Sequence, residues 1–420
     1  MASTKQPHIA IVGGGPAGLT LGLLLKKRSI PFTIYELRPK PTEDDYALPS
    51  GSLDLHPDTG LAAISACGLL DEFNTLTGEC SQSNTITDKD GTILLNDDGG
   101  DNTRPEISRH LLTKLLLSRL PTDCIQWQHK LLSAYEGEEG GRYVLDFGPH
   151  HGMVTADLVI GADGAWSRVR PLLTHRKPHY SGVHFVTLTI PNLGHRFPEL
   201  ADLVGAGSFI APGDRNILMS QRGALGAARI YLSIHTLDEN FGTTTSLEHM
   251  SQSEARDLLL SSTARHNDGK YFGAFGPKFQ KLITQGFRDN EGPIDVKPLY
   301  MLPVGQLSWQ HRPGVTVIGD AAHLMTPFAG EGVNLAMKDA LELADAINAA
   351  WIEASDSETG KRKFRIALEE RLEEFETQMI NRAEETAEET WNNLQIFHDE
   401  DARTKIPALF QGYIGEKPLE

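Results

Sequence analysis

The pattern of apolar and polar positions predicts a strand, a helix and a second strand at the start of the chain. Residues 8–12 form a continuous apolar run that is typical of a buried strand. Residues 16–27 have the length and apolar content of a buried helix, and residues 32–36 form a second apolar run. This order is that of a βαβ unit, in which a helix connects two parallel strands. The chain therefore opens as an α/β fold.

Two later regions have the same buried character. Residues 157–161 form an apolar strand that ends in a turn, Ala162-Asp163-Gly164. Residues 315–318 form another apolar strand, followed by a glycine-rich loop at 326–332 and a long apolar helix at 333–349. We expect these segments to belong to the same sheet as the opening unit.

In the middle of the chain, apolar and polar positions alternate with a different periodicity. Between residues 181 and 293, runs such as 184–191 and 229–236 alternate between apolar and polar positions, and clusters of Gly, Pro and Asp separate them. Such alternation is typical of half-buried strands. We interpret this region as an inserted, sheet-rich second domain.

An amphipathic helix is predicted near the C-terminus, because Leu368, Leu372, Phe375 and Met379 recur at helical spacing in an otherwise charged segment. A chain of 420 residues exceeds the roughly 250 to 300 residues that one core usually serves, so two domains are expected. The predicted organisation is a discontinuous first domain (1–180 and 294–360), the inserted domain (181–293), a long helix that braces the two (361–398) and a tail (399–420).

Composition narrows the choice of partners. The chain has 39 basic and 56 acidic residues and a net charge of −17, so we expect neither nucleic acid nor a membrane as a partner. No stretch approaches the roughly 18 apolar residues of a membrane span. The 3 cysteines, Cys67, Cys80 and Cys124, form no C-x-x-C pair, so neither a disulfide framework nor a metal site is predicted. We expect a cytoplasmic monomer without a targeting segment.

A glycine-rich turn connects the first predicted strand to the first helix. It has the pattern G-x-G-x-x-G and consists of Gly13, Gly14, Gly15, Pro16, Ala17 and Gly18. Such glycines let the backbone approach a pyrophosphate at the helix N-terminus. Glu36 ends the second strand, where a carboxylate binds ribose hydroxyls and disfavours a 2′-phosphate. Each feature alone has a simpler interpretation, a tight turn or a solvated side chain, but together they predict an adenosine-binding site that does not hold NADP.

Two further motifs follow the later buried strands. Asp163 opens D-G-A-W-S-R-V-R, and Asp320 lies in G-D-A-A-H, which is followed by P-F-A-G-E-G-V-N at 327–334. The three motifs in this order resemble those of the class A flavoprotein monooxygenases, which are related to para-hydroxybenzoate hydroxylase. Within that class, residues 52–56, 105–109 and 323–330 are most similar to the tetracycline-inactivating flavin monooxygenases. The resemblance spans nearly the whole chain and is densest in the first domain.

The resemblance implies a Rossmann-like FAD-binding domain with an inserted substrate-binding domain. It implies that FAD is held by Gly13, Gly15, Pro16, Ala17, Gly18, Glu36, Asp54, Arg109, Asp163, Asp320, Pro327, Gly330, Gly332, Val333 and Asn334. Arginine offers paired donors to a pyrophosphate, and aspartate accepts from hydroxyls. The loop at 330–334 begins a helix, so its N–H groups can stabilise negative charge near N1 and O2 of the reduced flavin.

The reaction implied by the resemblance uses NADPH or NADH to reduce FAD. O2 then adds to the flavin as a C4a-hydroperoxide, and one oxygen atom passes to a small electron-rich aromatic or polyketide-like substrate. Because the cofactor supplies the chemistry, we expect no catalytic side chain, and we interpret His323 as a packing residue. The same motifs are compatible with a flavin dehydrogenase or reductase, and with a flavoprotein that only sequesters a small molecule.

The resemblance also implies a set of substrate-facing positions. They are Thr187, Arg215 (after a shift of one residue), Arg229, Tyr231, Phe328 and Gly330. Alternate residues of a half-buried strand can equally pack or face solvent, so contact with substrate is one of two interpretations.

Several residues depart from the pattern of the tetracycline enzymes. Thr187 and Arg229 stand where those enzymes have Gln and His, which argues against tetracycline itself. Ala47 replaces an Arg associated with NADPH, so the docking site of the reductant is left open. Leu37 and Glu331 replace the usual Arg and Gln of the flavin motifs.

Overall fold

The structure is a computed structural model that describes residues 6–77, 81–100, 104–138, 141–223, 226–263, 271–354 and 360–415. Cys80 lies outside the described residues. The strands are β1 (Ile9–Val12), β2 (Thr33–Tyr35), β3 (Ser52–Asp54), β4 (Asn84–Thr87), β5 (Ile93–Asp97), β6 (Glu106–Ser108), β7 (Ile125–Gln126), β8 (Ser133–Glu136), β9 (Tyr143–Asp146), β10 (Met153–Ala156), β11 (Leu158–Gly161), β12 (His179–Ile190), β13 (Ser208–Gly213), β14 (Asn216–Arg222), β15 (Ala228–His235), β16 (Asp295–Met301) and β17 (Val315–Val317).

Helices occur in the first part of the chain, in the inserted region and in the last part of the chain. They are α1 (Pro16–Lys27), α2 (Glu43–Ala47), α3 (Ala62–Cys67), α4 (Leu70–Thr75), α5 (Arg109–Ser118), α6 (Leu193–Arg196), α7 (Pro198–Val204), α8 (Phe241–Thr244), α9 (Gln252–Leu259), α10 (Pro277–Asp289), α11 (Asp320–His323), α12 (Gly332–Ala354), α13 (Gly360–Phe397) and α14 (Ala402–Gly415). No helix in the described ranges is long and apolar enough to cross a membrane.

A five-stranded sheet forms the centre of the first domain. Its order is β17-β11-β1-β2-β7, and all neighbouring strands run parallel. Strands β1 and β11 are buried along their whole length, which is typical of a parallel sheet that is covered on both faces. Helices α1 and α12 contribute to the same core. The predicted βαβ unit and the α/β fold class are confirmed.

A seven-stranded sheet extends beyond the region predicted for the inserted domain. Its order is β16-β12-β15-β14-β13-β4-β5, so residues 84–97 and 295–301 add strands to it from outside 181–293. One face is apolar and packs on helices α9 and α10. Strand β12 pairs with β15 in antiparallel register, Thr187 opposite Tyr231 and Thr189 opposite Arg229. Residues directly opposite in such a pair lie on the same face, so these four share the face turned away from the helices.

The last two helices join the first domain to the large sheet. Leu368, Leu372, Phe375 and Met379 of α13 are buried in the core of the first domain, as an amphipathic helix requires. Phe397, at the other end of α13, packs with residues of β13 and β14. The segment 399–420, expected to be a tail, contains helix α14 instead, because its apolar residues Ala402 and Ile406 are spaced one helical turn apart and bury against Phe397.

Candidate active site

Four of the predicted cofactor residues follow neighbouring strands of the parallel sheet. Gly13 follows β1, Glu36 follows β2, Asp163 comes shortly after β11, and Asp320 comes shortly after β17. Because the carboxyl ends of parallel strands lie at one edge of the sheet, the fold brings these residues together, although they are far apart in the sequence. In open α/β sheets this edge is where ligands bind.

The glycine turn after β1 has no room for larger side chains. A Cβ atom on Gly13, whose φ is +113°, would lie 2.1 Å from the Ala162 carbonyl oxygen, and one on Gly18 would lie 2.0 Å from the Gly13 carbonyl oxygen. The side of Gly15 is open, with no atom within 4 Å of the Cβ position. Helix α1 begins there with no side-chain cap, so its N–H groups and its positive end face open space. This geometry fits an anionic phosphate group.

Glu36 is held beside the glycine turn by backbone donors. Its Oε2 accepts a hydrogen bond from the Gly14 N–H at 2.6 Å, and its Oε1 accepts one from the Arg38 N–H at 2.8 Å. Each carboxylate oxygen can accept a further bond. The carboxylate is therefore oriented where the hydroxyls of a ribose next to a pyrophosphate would reach it.

Asp163 offers a second acceptor at the same edge. Its Oδ2 accepts from the Arg168 N–H at 2.7 Å, whereas its Oδ1 is buried and has no hydrogen-bond partner in the described part of the chain. Burial raises the pKa of Asp163 above its ordinary value. A buried carboxylate oxygen without a donor is unfavourable on its own, so the arrangement fits a ligand that supplies a hydroxyl.

Arg170 ties the second motif to the third. Its guanidinium group is buried and donates to the carbonyl oxygens of Ala165 at 2.7 Å and Ala321 at 3.1 Å. Asp320 is exposed to solvent. Surrounding protein atoms reduce the hydration of its carboxylate, which raises its pKa, whereas the charges of His323, Arg109 and Arg170 lower it. The structure thus places Arg109, at the start of α5, within electrostatic range of Asp320.

The His323 ring is buried and pairs with a carboxylate inside the protein. Its Nε2 lies 2.6 Å from Asp339 Oδ2, and both side chains are nearly inaccessible. Asp339 also accepts from the Gly319 N–H at 3.0 Å and pairs with Arg382 at 3.1 Å. These contacts fix the turn that carries Asp320, and the packing role expected of His323 stays a prediction.

Asn334 connects strand β3 to helix α12. Its Oδ1 accepts from the His56 N–H at 2.9 Å and from the Thr59 hydroxyl at 3.2 Å, and its Nδ2 donates to the Asp54 carbonyl oxygen at 3.0 Å. The buried side chain is therefore used to position protein groups. In the loop that precedes Asn334, Gly330 and Gly332 have open space at their Cβ positions. A planar ligand that lies against this backbone would need such space.

His56 joins this group, although the sequence analysis assigned it no role. Its Nε2 lies 2.9 Å from Asp54 Oδ2, and its Nδ1 lies 3.0 Å from Glu331 Oε1. Burial disfavours the charged ring, but hydrogen bonds and attraction from the two carboxylates outweigh burial and raise the pKa of His56 to about 9. The signals in the sequence were the S-L-D-L-H segment and the unusual Glu331, but their proximity depends on the contact between β3 and α12.

The polar face of the large sheet meets this site. A Cβ atom on Gly51 would lie 3.2 Å from the Tyr231 hydroxyl, which places Tyr231 beside the β3 segment. The Phe185 ring bridges the Tyr231 and Phe328 rings, with centroid separations of 5.5 and 6.1 Å. The structure therefore brings Thr187, Tyr231 and Phe328 to one region.

Arg229 lies next along the same face. Its Nη1 donates to the Thr189 hydroxyl at 3.0 Å, and its Nε is buried without a hydrogen-bond partner among the described residues. Asp295 lies 3.9 Å away. The guanidinium group is thus held in place by a single hydrogen bond to Thr189 among the described residues.

Arg215 is not part of this region. It lies with Asp214 in the two-residue turn between β13 and β14, with positive φ values of 52° and 61°, and its side chain is 45% exposed near Glu400. A shift of one residue from Arg215 does not reach the substrate-facing positions, because the β14 residue that lies opposite Tyr231 is Met219. Gln221 lies opposite Arg229 on β14, and the sequence motifs did not identify either residue.

A glycine turn shaped for a pyrophosphate, beside a carboxylate oriented for a ribose, defines a dinucleotide-binding protein of the Rossmann-like class. The particular family follows from comparison with known proteins: the chain belongs to the FAD binding domain family, whose model matches residues 6–199 and 304–359. It is similar to monooxygenase penA of Penicillium thymicola, with 35% identity over 98% of this chain and 100% of the relative. It is also similar to monooxygenase asqM of Emericella nidulans, with 34% identity over 96% of this chain and 98% of the relative. The chain is an FAD-dependent monooxygenase, which confirms the predicted cofactor and enzyme class.

Solved structures share the fold at low sequence identity. Klebsiella pneumoniae HpxO, complexed with FAD and uric acid, superposes with a TM-score of 0.70 at 18% identity and covers 98% of this chain and 93% of that one. Tetracycline destructase Tet(51) superposes with a TM-score of 0.64 at 15% identity, over 99% of this chain and 98% of that one. The predicted resemblance to class A flavin monooxygenases, including a tetracycline destructase, is thus confirmed at the level of fold.

Proposed function

We propose that the protein inserts one atom of O2 into a small electron-rich aromatic or polyketide-like compound, with NADPH or NADH as the reductant. The observation that carries this proposal is the wall formed by Thr187, Arg229 and Tyr231 opposite Phe328 of the flavin loop. FAD, when bound, would carry the reducing equivalents from NADPH or NADH and activate O2. The protein supplies orientation, charge and exclusion of water.

The residues at the sheet edge suit the parts of FAD. We assign the pyrophosphate to the turn of Gly13, Gly15 and Gly18 at the start of α1, and the adenosine ribose to Glu36. Arg109, one of the cations within electrostatic range of Asp320, is suited to balance phosphate charge. We assign the flavin ring to the loop at 330–334, whose N–H groups lie at the positive end of α12.

The wall indicates what the substrate presents. Tyr231, Phe185 and Phe328 offer aromatic faces, which favour a flat conjugated ring. Arg229 carries a positive charge that Thr189 holds in place, which favours a carbonyl, phenolate or enolate oxygen on that ring. An enolate or phenolate oxygen also makes a ring electron-rich, so one contact would both orient and select the substrate.

The names of related proteins support a ring substrate. The HpxO structure contains uric acid, and another structure with the same fold is a salicylate hydroxylase in complex with its substrate. Kynurenine 3-monooxygenase of Stenotrophomonas maltophilia is 27% identical over 82% of this chain. Uric acid, salicylate and kynurenine all contain conjugated rings.

The test is a panel of phenolic, other aromatic and polyketide compounds, incubated with the purified holoprotein, NADPH or NADH, and ¹⁸O2. We expect at least one compound to stimulate reductant oxidation and to gain one ¹⁸O atom, as measured by mass spectrometry. Arg229→Gln should raise KM for that compound by about tenfold or more, since a charge-assisted hydrogen bond contributes about 1.5–3 kcal/mol. Arg215→Gln, at the exposed turn of the same sheet, is the matched control and should leave KM unchanged.

Two other results would replace the proposal. A product oxidised without ¹⁸O would identify a flavin dehydrogenase or reductase. Tight binding of a compound with neither reductant oxidation nor product would identify a sequestering flavoprotein.

A further inference from the structure

His56, Asp54 and Glu331 form a cluster at the junction of β3 and the flavin loop. The ring nitrogens of His56 lie 2.9 Å from Asp54 Oδ2 and 3.0 Å from Glu331 Oε1, and only 12% of the side chain is exposed. An ionised carboxylate can only accept a hydrogen bond, so both ring nitrogens must donate. Only the doubly protonated, positively charged imidazole can do this.

Glu331 brings a negative charge to an unfavourable place. It immediately precedes Gly332, the first residue of α12, in the loop where the proposed function places the flavin ring. Reduction of the flavin adds negative charge there, and a second, unbalanced negative charge nearby would oppose it. In this chain the His56 ring lies between Asp54 and Glu331, holds the Glu331 side chain and offsets part of the negative charge of the two carboxylates.

We propose that His56 is a positioning residue that anchors Glu331 and offsets its charge, so that the flavin loop can stabilise the reduced cofactor. The assignment rests on the proposed placement of the flavin at 330–334, but not on oxygen insertion or on any substrate. Asn334 supports the geometry, because its Oδ1 accepts the His56 backbone N–H at 2.9 Å while its own backbone lies in α12. The His56 backbone is thus hydrogen-bonded to α12, the helix that begins directly after Glu331.

The test is the midpoint potential of bound FAD, measured by dye equilibration in four holoproteins: the natural protein, His56→Gln, Glu331→Gln and the double variant. We expect His56→Gln to lower the potential, because Glu331 then remains unbalanced beside the reduced flavin. Glu331→Gln should raise the potential or leave it unchanged. In the Glu331→Gln background, His56→Gln should lower the potential by a smaller amount, since only Asp54 then loses its positively charged partner.

A second histidine pair provides the control. His311 Nδ1 lies 2.9 Å from Glu376 Oε2, and the His311 side chain is as little exposed as that of His56. His311→Gln removes a pair of the same type, between His311 and Glu376 of α13, and should not change the potential.

The outcomes separate this inference from the proposed function. The inference is overturned if His56→Gln leaves the potential unchanged, or shifts it equally in both backgrounds. If His56→Gln alone does not retain FAD, retention by the double variant supports the inference, and loss in both refutes it. None of these measurements uses a substrate or O2, so a failed ¹⁸O experiment would leave them interpretable.

Discussion

Replacement of Asn334 by alanine should weaken both the fold and FAD binding. The change leaves the His56 N–H and the Asp54 carbonyl oxygen without their buried partner, and it also removes the bond from Thr59. An unsatisfied buried group costs about 1–3 kcal/mol, so we expect the free energy of unfolding to fall by about 2–4 kcal/mol. The same bonds position β3 against α12, so the FAD dissociation constant should rise at least about tenfold, or about 1.4 kcal/mol.

The assay is urea denaturation of the apoprotein, followed by titration with FAD while flavin fluorescence is recorded. The control is Asn216→Ala, which removes another buried amide that bonds to the backbone of His235 and Tyr271 at 3.3 and 3.4 Å. It should lower stability without changing FAD affinity. The reasoning would be refuted if both variants weakened FAD equally, or if Asn334→Ala bound FAD as tightly as the natural protein.

Three further predictions concern the cofactor edge. Gly18→Ala should destabilise the apoprotein, because its Cβ would lie 2.0 Å from a carbonyl oxygen, whereas Gly15→Ala should leave thermal stability unchanged and weaken FAD binding, measured by titration. Glu36→Ala should raise the FAD dissociation constant about tenfold or more, since it removes a charge-assisted bond to the Gly14 N–H and a ribose acceptor, and unchanged affinity would contradict the assignment. The pKa of His56 is raised from 6.5 to about 9, so its pairing should stabilise the fold fully below pH 6.5 and be lost as pH rises through 9. Urea midpoints over this range should fall more in the natural protein than in His56→Gln.

The parts of the fold that were predictable are those with local causes. A strand buried on both faces needs a continuous apolar run, and a backbone that passes a carbonyl oxygen as closely as Gly18 does needs glycine. Both signals are visible in a few consecutive residues. The cofactor edge could therefore be predicted from three short motifs.

The parts that were missed depend on distant contacts. Strands β4 and β5 join the large sheet through pairing of β4 with β13, more than a hundred residues later, and no local pattern specifies that partner. Arg215 was misplaced because a two-residue turn with positive φ sets the register of β14. Helix α14 escaped prediction because it contains Pro407, which usually marks a helix boundary. His56 meets Glu331 only once β3 and α12 are packed.

The order of the central sheet also determines when the protein can acquire its cofactor during synthesis. Strand β1 cannot pair with β11 until β11 has been synthesised, because Ile9 pairs with Leu158. In the same way β11 cannot pair with β17 earlier, because Val159 pairs with Val315. Asn334 leaves the ribosome about 300 residues after Glu36, which takes roughly 15–60 s at about 5–20 residues per second. Under the proposed assignment, the nascent chain has for that interval the residues for the adenosine half of FAD but not those for the flavin half. Under that assignment, FAD can make all its contacts only after most of the chain has been synthesised.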